Sequence, residues 1–421
     1  MANSILIPIV SLVDTKQRLL NFTELFDVCN YYDSNGIKSP LNYDRFECLA
    51  GYGCIEKISG DFQTITAKIA NETRWVMGYL GYDANLKFNT HETLSDEENG
   101  FYIPELIISI GRNGQTLEII NNGISADLFK VYLEKLDGVS SQLPLPHNNH
   151  FQFKPCTPKS TYLKNVDLIK SQIIEGDFYE INYCQKFIQQ GVLSQPLATF
   201  IALNKKSPTP FAAYVKTHHY TILCTSPERF IYKNDQILIS QPIKGTNKRL
   251  DGDANKKQMA LLQNDAKEIA ENVMIVDLVR NDLAHVCQTG SIKVKELCQI
   301  YPFALVNQMI STVEGQLEAN SCFKSIFEAL FPMGSMTGAP KIEVMKNILK
   351  YETKSRGIYS GCLGYKMPNG NFDFNVLIRT MLEEKKNGMV SFQVGGAITY
   401  DSIPENEYAE CMLKAKGLFN I

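Results

Sequence analysis

Two glutamate pairs carry the first chemical signal. Glu268 and Glu271 are three residues apart, and so are Glu407 and Glu410. On a helix, that spacing puts both members of a pair on one face. If the two faces converge, they form an all-oxygen cluster with the donor chemistry of a hard cation such as Mg2+. The same spacing also occurs on solvated helix faces. Lys244 stands in Pro242-Ile-Lys-Gly-Thr246, between an apolar run and a glycine turn. A positioned lysine whose proton affinity is lowered is a nucleophile, and otherwise it is a surface residue in a turn. Ser335-Met-Thr-Gly-Ala-Pro-Lys341 precedes a helical pattern. Its amides and the helix dipole could bind a carboxylate or phosphate, or the loop could be a plain cap; it lacks the P-loop spacing. Gly395-Gly396-Ala397 ends a strand-like run, as a close approach to an anion or as a tight turn.

Other chemistries are excluded by what is missing. Eleven cysteines are scattered without a CxxC pair, and none of the six histidines stands in an HExxH or HxH pattern. A thiolate zinc site, a histidine-built metal site and a disulfide framework are therefore not expected, and the thiols read as reduced. Gly361-Cys362-Leu-Gly364 has a passing likeness to the nucleophile loop of class I glutamine amidotransferases. Ser360 and Lys366 break that pattern, and no histidine follows His285, so Cys362 reads as a buried strand residue. Forty-two basic against 45 acidic residues give a net charge of −3, which offers no general attraction for nucleic acid. No run of about 18 apolar residues suggests a membrane span. The N-terminus lacks a basic segment and is broken by Pro8, so no signal peptide is expected and the protein reads as cytoplasmic.

The elements that must position these residues are mixed. The 421 residues, 44% hydrophobic and 21% charged, allow one to three domains. Leu143 to His150 is the clearest candidate boundary, dividing 1–145 from 155–421, and 91–100 reads as a solvated acidic loop. Tyr162, Val166, Ile169 and Ile173 keep helical spacing up to Gly176. Strands are predicted at 178–188, 236–240, 357–366, 372–383 and 389–394. Helices are predicted at 265–285, with Ala266, Ile269, Ala270, Val273 and Met274 as the apolar stripe, from Pro340, and from about Ser402, where Ser402 and Glu405 could form a capping box. Strands and helices do not alternate strictly, so the class is α+β.

These motifs, in this order, resemble the chorismate-utilising enzymes, which include the anthranilate, aminodeoxychorismate, isochorismate and salicylate synthases. The resemblance rests on Gly176-Asp-Phe-Tyr-Glu-Ile-Asn182, Ser226-Pro-Glu-Arg-Phe230, the Pro242–Thr246 block, Glu271 to Asp282, Ser335–Lys341, Arg356-Gly-Ile-Tyr-Ser-Gly361, Ile378-Arg-Thr380, and Glu407-Tyr-Ala-Glu410 with Lys414. Asp44-Arg45-Phe46 and Gly78 to Asp83 are similar to landmarks of its N-terminal part. It implies two large antiparallel sheets packed face to face with helices outside, both parts of the chain sharing one intertwined fold.

The resemblance also implies roles. Lys at position 244 is the residue type of the branch that makes aminodeoxychorismate, where the other branches usually have alanine. Lys244 would attack ring carbon 2 of chorismate, and Glu228 would protonate the departing 4-hydroxyl. Mg2+ would be held by Glu271 and Glu410 with Glu268 and Glu407 near. Gly245, Thr246, Thr337, Tyr359, Arg379, Gly395, Gly396 and Lys414 would line the substrate site. Ammonia would come from a glutamine amidotransferase subunit, since the family core accounts for nearly the whole chain and leaves no length for such a domain of roughly 190 residues. Four residues depart from the family pattern: Glu180 in place of glutamine, Gln308 in place of histidine, Ala397 in place of a third glycine, and Asn247 in place of arginine.

Overall fold

The structure is a computed structural model that describes residues 4–85, 98–145 and 151–419. Most of the 91–100 and 143–150 segments lies outside the described residues. Two antiparallel sheets dominate, of twelve and ten strands among the described residues. The first runs, in spatial order, Ser4–Pro8, Thr116–Asn121, Leu106–Gly111, Phe46–Tyr52, Cys29–Asp33, Phe211–Lys216, Tyr220–Ser226, Thr380–Glu384, Met389–Ile398, Glu180–Gln190 and Gly338–Ala339, with Lys154–Pro155 on the outer part of Glu180–Gln190. The second runs Ile243–Lys248, Val306–Gln316, Ile237–Gln241, Arg229–Asn234, Phe372–Val376, Cys362–Lys366, Val76–Leu80, Gly100–Ile103 and Glu56–Ile58, with Lys293–Pro302 paired to Val306–Gln316.

Strand alternation explains the layering. Along Phe211–Lys216, Ala213 and Val215 face the second sheet and pack with its Tyr79 and Leu363, whereas Ala212 and Tyr214 face helices. Leu49 and Ile107 likewise meet Met77 and Tyr365 of the second sheet. A side-chain period of two therefore feeds two cores at once. Helices Lys159–Glu175, Pro196–Lys206, Lys341–Tyr351 and Pro404–Phe419 cover the outer face of the first sheet, while Phe62–Asn71, Ala266–Ala284 and Phe323–Leu330 cover that of the second. This is the α+β, sheet-on-sheet architecture expected.

Several boundaries differ from expectation. The run 372–383 is two strands in different sheets, because the chain crosses between sheets at Leu377–Arg379. Both sheets are covered on both faces, so no change of hydrophobic pattern marks the crossing. The strand expected from 357 begins only at Cys362, after a turn with Ser360 at φ 61°. Cys362 itself is fully buried, as expected, and the eleven cysteines are free thiols. The run 395–397 is not a turn: the strand continues to Ile398, with Gly395 opposite Cys184 and Gly396 opposite Tyr183. The helix expected at Pro340 starts at Lys341, with Pro340 as its N-cap. The last helix begins at Pro404, and Ser402 Oγ accepts from the Thr399 amide rather than closing a box with Glu405. In helix Ala266–Ala284 the buried stripe is Asn272, Ile275, Val276, Val279 and Leu283; Ala266 and Ala270 are exposed. Ile269 and Val273 pack on a small side cluster around Met309.

Candidate functional site

Lys244 is aimed by an irregular strand. Ile243–Lys248 pairs with Val306–Gln316, and its register slips between Ile243 and Thr246. Gly245, at φ 100°, absorbs the slip. Asn272 Nδ2 donates to the Lys244 carbonyl at 3.0 Å and to that of Met309 at 3.3 Å, pinning the bulge to the helix behind it. The Lys244 side chain, 11% exposed, donates to Glu180 Oε1. Burial pulls the lysine pKa down, but the charges of Glu180, Glu271 and Glu228 outweigh it and the net direction is up.

Glu228 and Arg379 occupy two neighbouring crossings between the sheets. The chain leaves the first sheet at Ser226 and enters the second at Arg229; it leaves the second at Val376 and returns to the first at Thr380. The crossings are cross-linked, the Thr225 amide to the Arg379 carbonyl at 3.1 Å and the Val376 amide to the Glu228 carbonyl at 3.0 Å. Glu228 is 4% exposed and accepts from Ser335 Oγ at 2.6 Å. Burial pushes its pKa up to about 7, against the pull of Ser335, Lys244 and Arg379. Arg379 sits at φ 50°, and burial lowers its pKa while Glu228 opposes this. Its guanidinium has no protein partner among the described residues.

The four glutamates come from two helices. Asp265 caps helix Ala266–Ala284, accepting from the amides of Lys267 and Glu268. Glu268 and Glu271 continue the buried stripe of Asn272, Ile275 and Val279 toward the helix N-terminus, so the face that packs the core also delivers the carboxylates. Burial raises Glu271 to about 7, with Glu180 and Glu268 adding to the rise and Lys244 and Lys267 opposing it. Burial and Asp265 raise Glu268, to which Glu410 adds. Burial raises Glu407, which is hydrogen-bonded to Ser402 and also pushed up by Glu410. Glu410, half-exposed, is raised by partial burial but ends lowered because Lys414 sits 2.7 Å away. Lys267 lies 3.8 Å from Glu271.

Among the described residues, no three acidic, cysteine or histidine side chains are close enough together to ligate one ion. The donor set nonetheless fits a hard cation. Six carboxyl groups (Glu180, Glu228, Glu268, Glu271, Glu407 and Glu410) face four cationic side chains (Lys244, Lys267, Lys414 and Arg379). The mutual repulsion among the glutamates is what a divalent ion would relieve.

The strand bearing the glycines closes the other side. A Cβ on Gly395 would lie 2.3 Å from Cys184 Sγ, so glycine lets the strands approach. A Cβ on Gly396 would lie within 4 Å of Glu407, Glu410 and Lys414, which places this backbone against the terminal-helix carboxylates. Lys414 Nζ also donates to the Gly395 carbonyl at 3.0 Å. A Cβ on Gly245 would lie 3.2 Å from Glu268 Oε2, joining the lysine loop to the first glutamate pair. Tyr359 is buried, its hydroxyl accepting from Cys184 Sγ at 3.8 Å. Thr337 is fully buried and its hydroxyl turns to the carbonyls of Met333 and Gly334. The amides of Met336 and Thr337 are bonded within the same loop, so Ser335–Lys341 buttresses Glu228 instead of presenting an open anion cradle. Thr246 is exposed opposite Gln308, whose buried Oε1 has no hydrogen-bond partner among the described residues.

Residues that sequence reasoning passed over hold this assembly. Arg229, beside Glu228, forks onto Asp373 at 2.9 and 3.0 Å and reaches Asp44 at 3.3 Å and Gln241 at 2.6 Å. Arg356 forks onto Glu352 and donates to the carbonyls of Met336 and Asn182. Asp83 accepts from Ser355 and from the Gly357 amide. Of the N-terminal landmarks, Asp44 thus braces the crossing at Arg229, and Asp83 braces the turn at Ser355–Gly357. The sequence signal available was their position inside the motif blocks.

Comparison with known proteins identifies the family and the fold. The family model described as chorismate binding enzyme matches residues 38–420. Aminodeoxychorismate synthase component 1 of Bacillus subtilis is 31% identical over 357 residues, 80% of this chain and 75% of that protein. Anthranilate synthase component 1 of Acetivibrio thermocellus is 30% identical over 415 residues, 92% of this chain and 81% of that one. The crystal structure of anthranilate synthase component I from Streptococcus pneumoniae shares the fold, with a TM-score of 0.79, 24% identity, and coverage of 91% of this chain and 94% of that one. Two large sheets, with a buried acid and an arginine on the crossings between them, are thus the frame of a chain that belongs to the family of chorismate-binding enzymes.

Proposed function

We propose that this chain is component I of an aminodeoxychorismate synthase, converting chorismate and ammonia to 4-amino-4-deoxychorismate in the synthesis of para-aminobenzoate. The observation that supports the reading is that the largely buried Lys244 and the buried Glu228, a candidate nucleophile and a candidate acid, lie near enough for each charge to act on the other. Lys244 attacks carbon 2 of the ring, and the double bonds shift as the 4-hydroxyl leaves. Hydroxide is a poor leaving group, so Glu228, with a pKa near 7, donates its proton to it. Ammonia then adds at carbon 4 and expels the lysine amine, which divides one difficult displacement into two. Arg379 has the fork geometry for the enolpyruvyl carboxylate, and Tyr359 and the Gly395–Gly396 backbone would complete its binding. Lys414, Gly245 and Thr246 would meet the ring carboxylate, with Thr337 two residues from the Ser335 that holds Glu228.

Glu271 and Glu410 would hold Mg2+, with Glu268 and Glu407 close by. When bound, the ion would supply charge neutralisation for the ring carboxylate and weaken the carboxylates' hold on the Lys244 proton. Ammonia would come from a glutamine amidotransferase partner or from solution. Among the described residues no helix is long and apolar enough to cross a membrane.

The test is incubation of the purified chain with chorismate, Mg2+ and an ammonium salt, followed by chromatography and mass spectrometry. The expected product is 4-amino-4-deoxychorismate, lost in Lys244→Ala. Accumulation of anthranilate or isochorismate would replace this reading with that of a sister branch.

A further inference from the structure

Glu180 is the residue of the site that the proposed chemistry leaves without a task. It opens strand Glu180–Gln190, and its backbone is fixed by pairing with Ala339. The side chain is 1% exposed. One carboxylate oxygen accepts from Lys244 Nζ, and the other, Oε2, is buried with no hydrogen-bond partner among the described residues. A buried carboxylate oxygen left unpartnered is costly.

The other carboxylates around Lys244 are differently engaged. Glu228 is committed to Ser335. Glu268 and Glu271, from the Ala266–Ala284 helix, and Glu410, from the terminal helix, face Lys244 only at a distance, with Lys267 and Lys414 among them. Arg379 faces Glu228. Among the described residues, Glu180 alone is bonded to the reacting nitrogen.

We propose that Glu180 is the proton acceptor of Lys244, taking the ammonium proton within the site so that the free amine can attack; this rests on the reading of Lys244 as nucleophile. An N–H bond of the ammonium breaks with its electron pair left on nitrogen, and an O–H bond forms on Glu180. The ion pair becomes two neutral groups with no change in net charge, an exchange that a water-poor site favours. The proton travels along the existing hydrogen bond onto Oε1, and no described residue bonded to Oε2 opposes the neutral form. When ammonia later expels the lysine as a neutral amine, Glu180 returns the proton and the pair is restored. A proton that stays inside the site makes deprotonation of Lys244 independent of bulk pH.

The experiment compares wild type with Glu180→Gln, which keeps the shape and an acceptor for Nζ, and with Glu180→Ala. Product formation from chorismate, Mg2+ and ammonium is followed against pH, and folding of each variant is checked by thermal melting. In Glu180→Gln the lysine proton must leave to solvent. Turnover at neutral pH is expected to drop at least about tenfold, mostly in kcat, and to recover by up to about tenfold per pH unit as pH rises. Wild type lacks that limb. Formate is expected to restore part of the Glu180→Ala rate by occupying the carboxylate's place. Parallel pH profiles in wild type and Glu180→Gln, or equal losses in both variants without formate rescue, would overturn the role of Glu180. Failure of the underlying reading looks different: wild type itself makes anthranilate or isochorismate, or Lys244→Ala retains aminodeoxychorismate formation.

Discussion

The Ser335 hydroxyl donates to Glu228 Oε1 across 2.6 Å, from the loop between the two sheets to the crossing that carries the buried acid. A hydrogen bond to the ionised form favours ionisation, so Ser335 works against the burial that raises Glu228.

Removing that hydroxyl therefore moves the acid in a defined direction. Ser335→Ala is expected to raise the Glu228 pKa above about 7. The alkaline limb of kcat/KM, where Glu228 loses the proton it must donate, moves to higher pH. A pH–rate profile of both proteins checks this, and a shift toward lower pH would remove Ser335 from the role.

Glu228 also couples stability to pH. Its carboxyl is held near 7 in the fold against an ordinary 4.5, so the folded chain binds this proton more tightly. The stabilising contribution is complete below the ordinary value and disappears as pH climbs through about 7, a loss of about 3 kcal/mol. Glu228→Gln is expected to melt higher than wild type above neutral pH while turnover falls about 10²- to 10⁴-fold. Calorimetry at acid and alkaline pH would show the gap opening only on the alkaline side.

Gly245 is a third point of leverage. Alanine there meets a backbone at φ 100° and a Cβ position 3.0 Å from Met309 Cβ and 3.2 Å from Glu268 Oε2. Strain and overpacking together are expected to cost about 2–4 kcal/mol. Because the same bulge aims Lys244, kcat should fall beyond what the lower melting temperature accounts for. An unaltered kcat in a destabilised variant would separate the loop from the chemistry.

Removal of divalent metal by a chelator is expected to abolish turnover, and Mg2+ to restore it. Glu271→Gln and Glu410→Gln should each raise the Mg2+ concentration for half-maximal activity about 10- to 100-fold. Mg2+-dependent melting shifts offer an independent readout, since an ion bound only by the folded chain stabilises it. Unchanged Mg2+ requirements in both variants would move the ion elsewhere.

The legible part of this protein was its local chemistry. The two glutamate pairs on their helices, the helix stopped at Gly176 and the buried Cys362 follow from spacing and residue type, whereas the glycine turn expected after Lys244 is a bulge inside strand Ile243–Lys248. The combined motif order gave the sheet-on-sheet fold. What stayed hidden is non-local. Nothing in the run 372–383 marks the passage between sheets at Arg379, because residues on both sides are equally buried. Gly395 and Gly396 look like a turn until Cys184 is seen packed where a side chain would be. The stripe on helix Ala266–Ala284 was misplaced because Asn272, a polar residue, belongs to its buried face and serves the Lys244 bulge. Glu180 could be seen as unusual in sequence, but only the fold brings it to Lys244, 64 residues away.

The order of strands has a consequence for how the chain is made. Hairpin Cys362–Lys366 with Phe372–Val376 lies between Val76–Leu80 and Arg229–Asn234, and hairpin Thr380–Glu384 with Met389–Ile398 lies between Tyr220–Ser226 and Glu180–Gln190. Until residues 362–398 leave the ribosome, both sheets are split and four inner strands present open edges, the kind of surface that recruits wrong partners. One late segment closes both sheets at once and carries Arg379 at its midpoint. The pocket therefore does not exist in any earlier nascent form, and closing the sheets leaves only helix Pro404–Phe419, with Glu407, Glu410 and Lys414, still to be added to it.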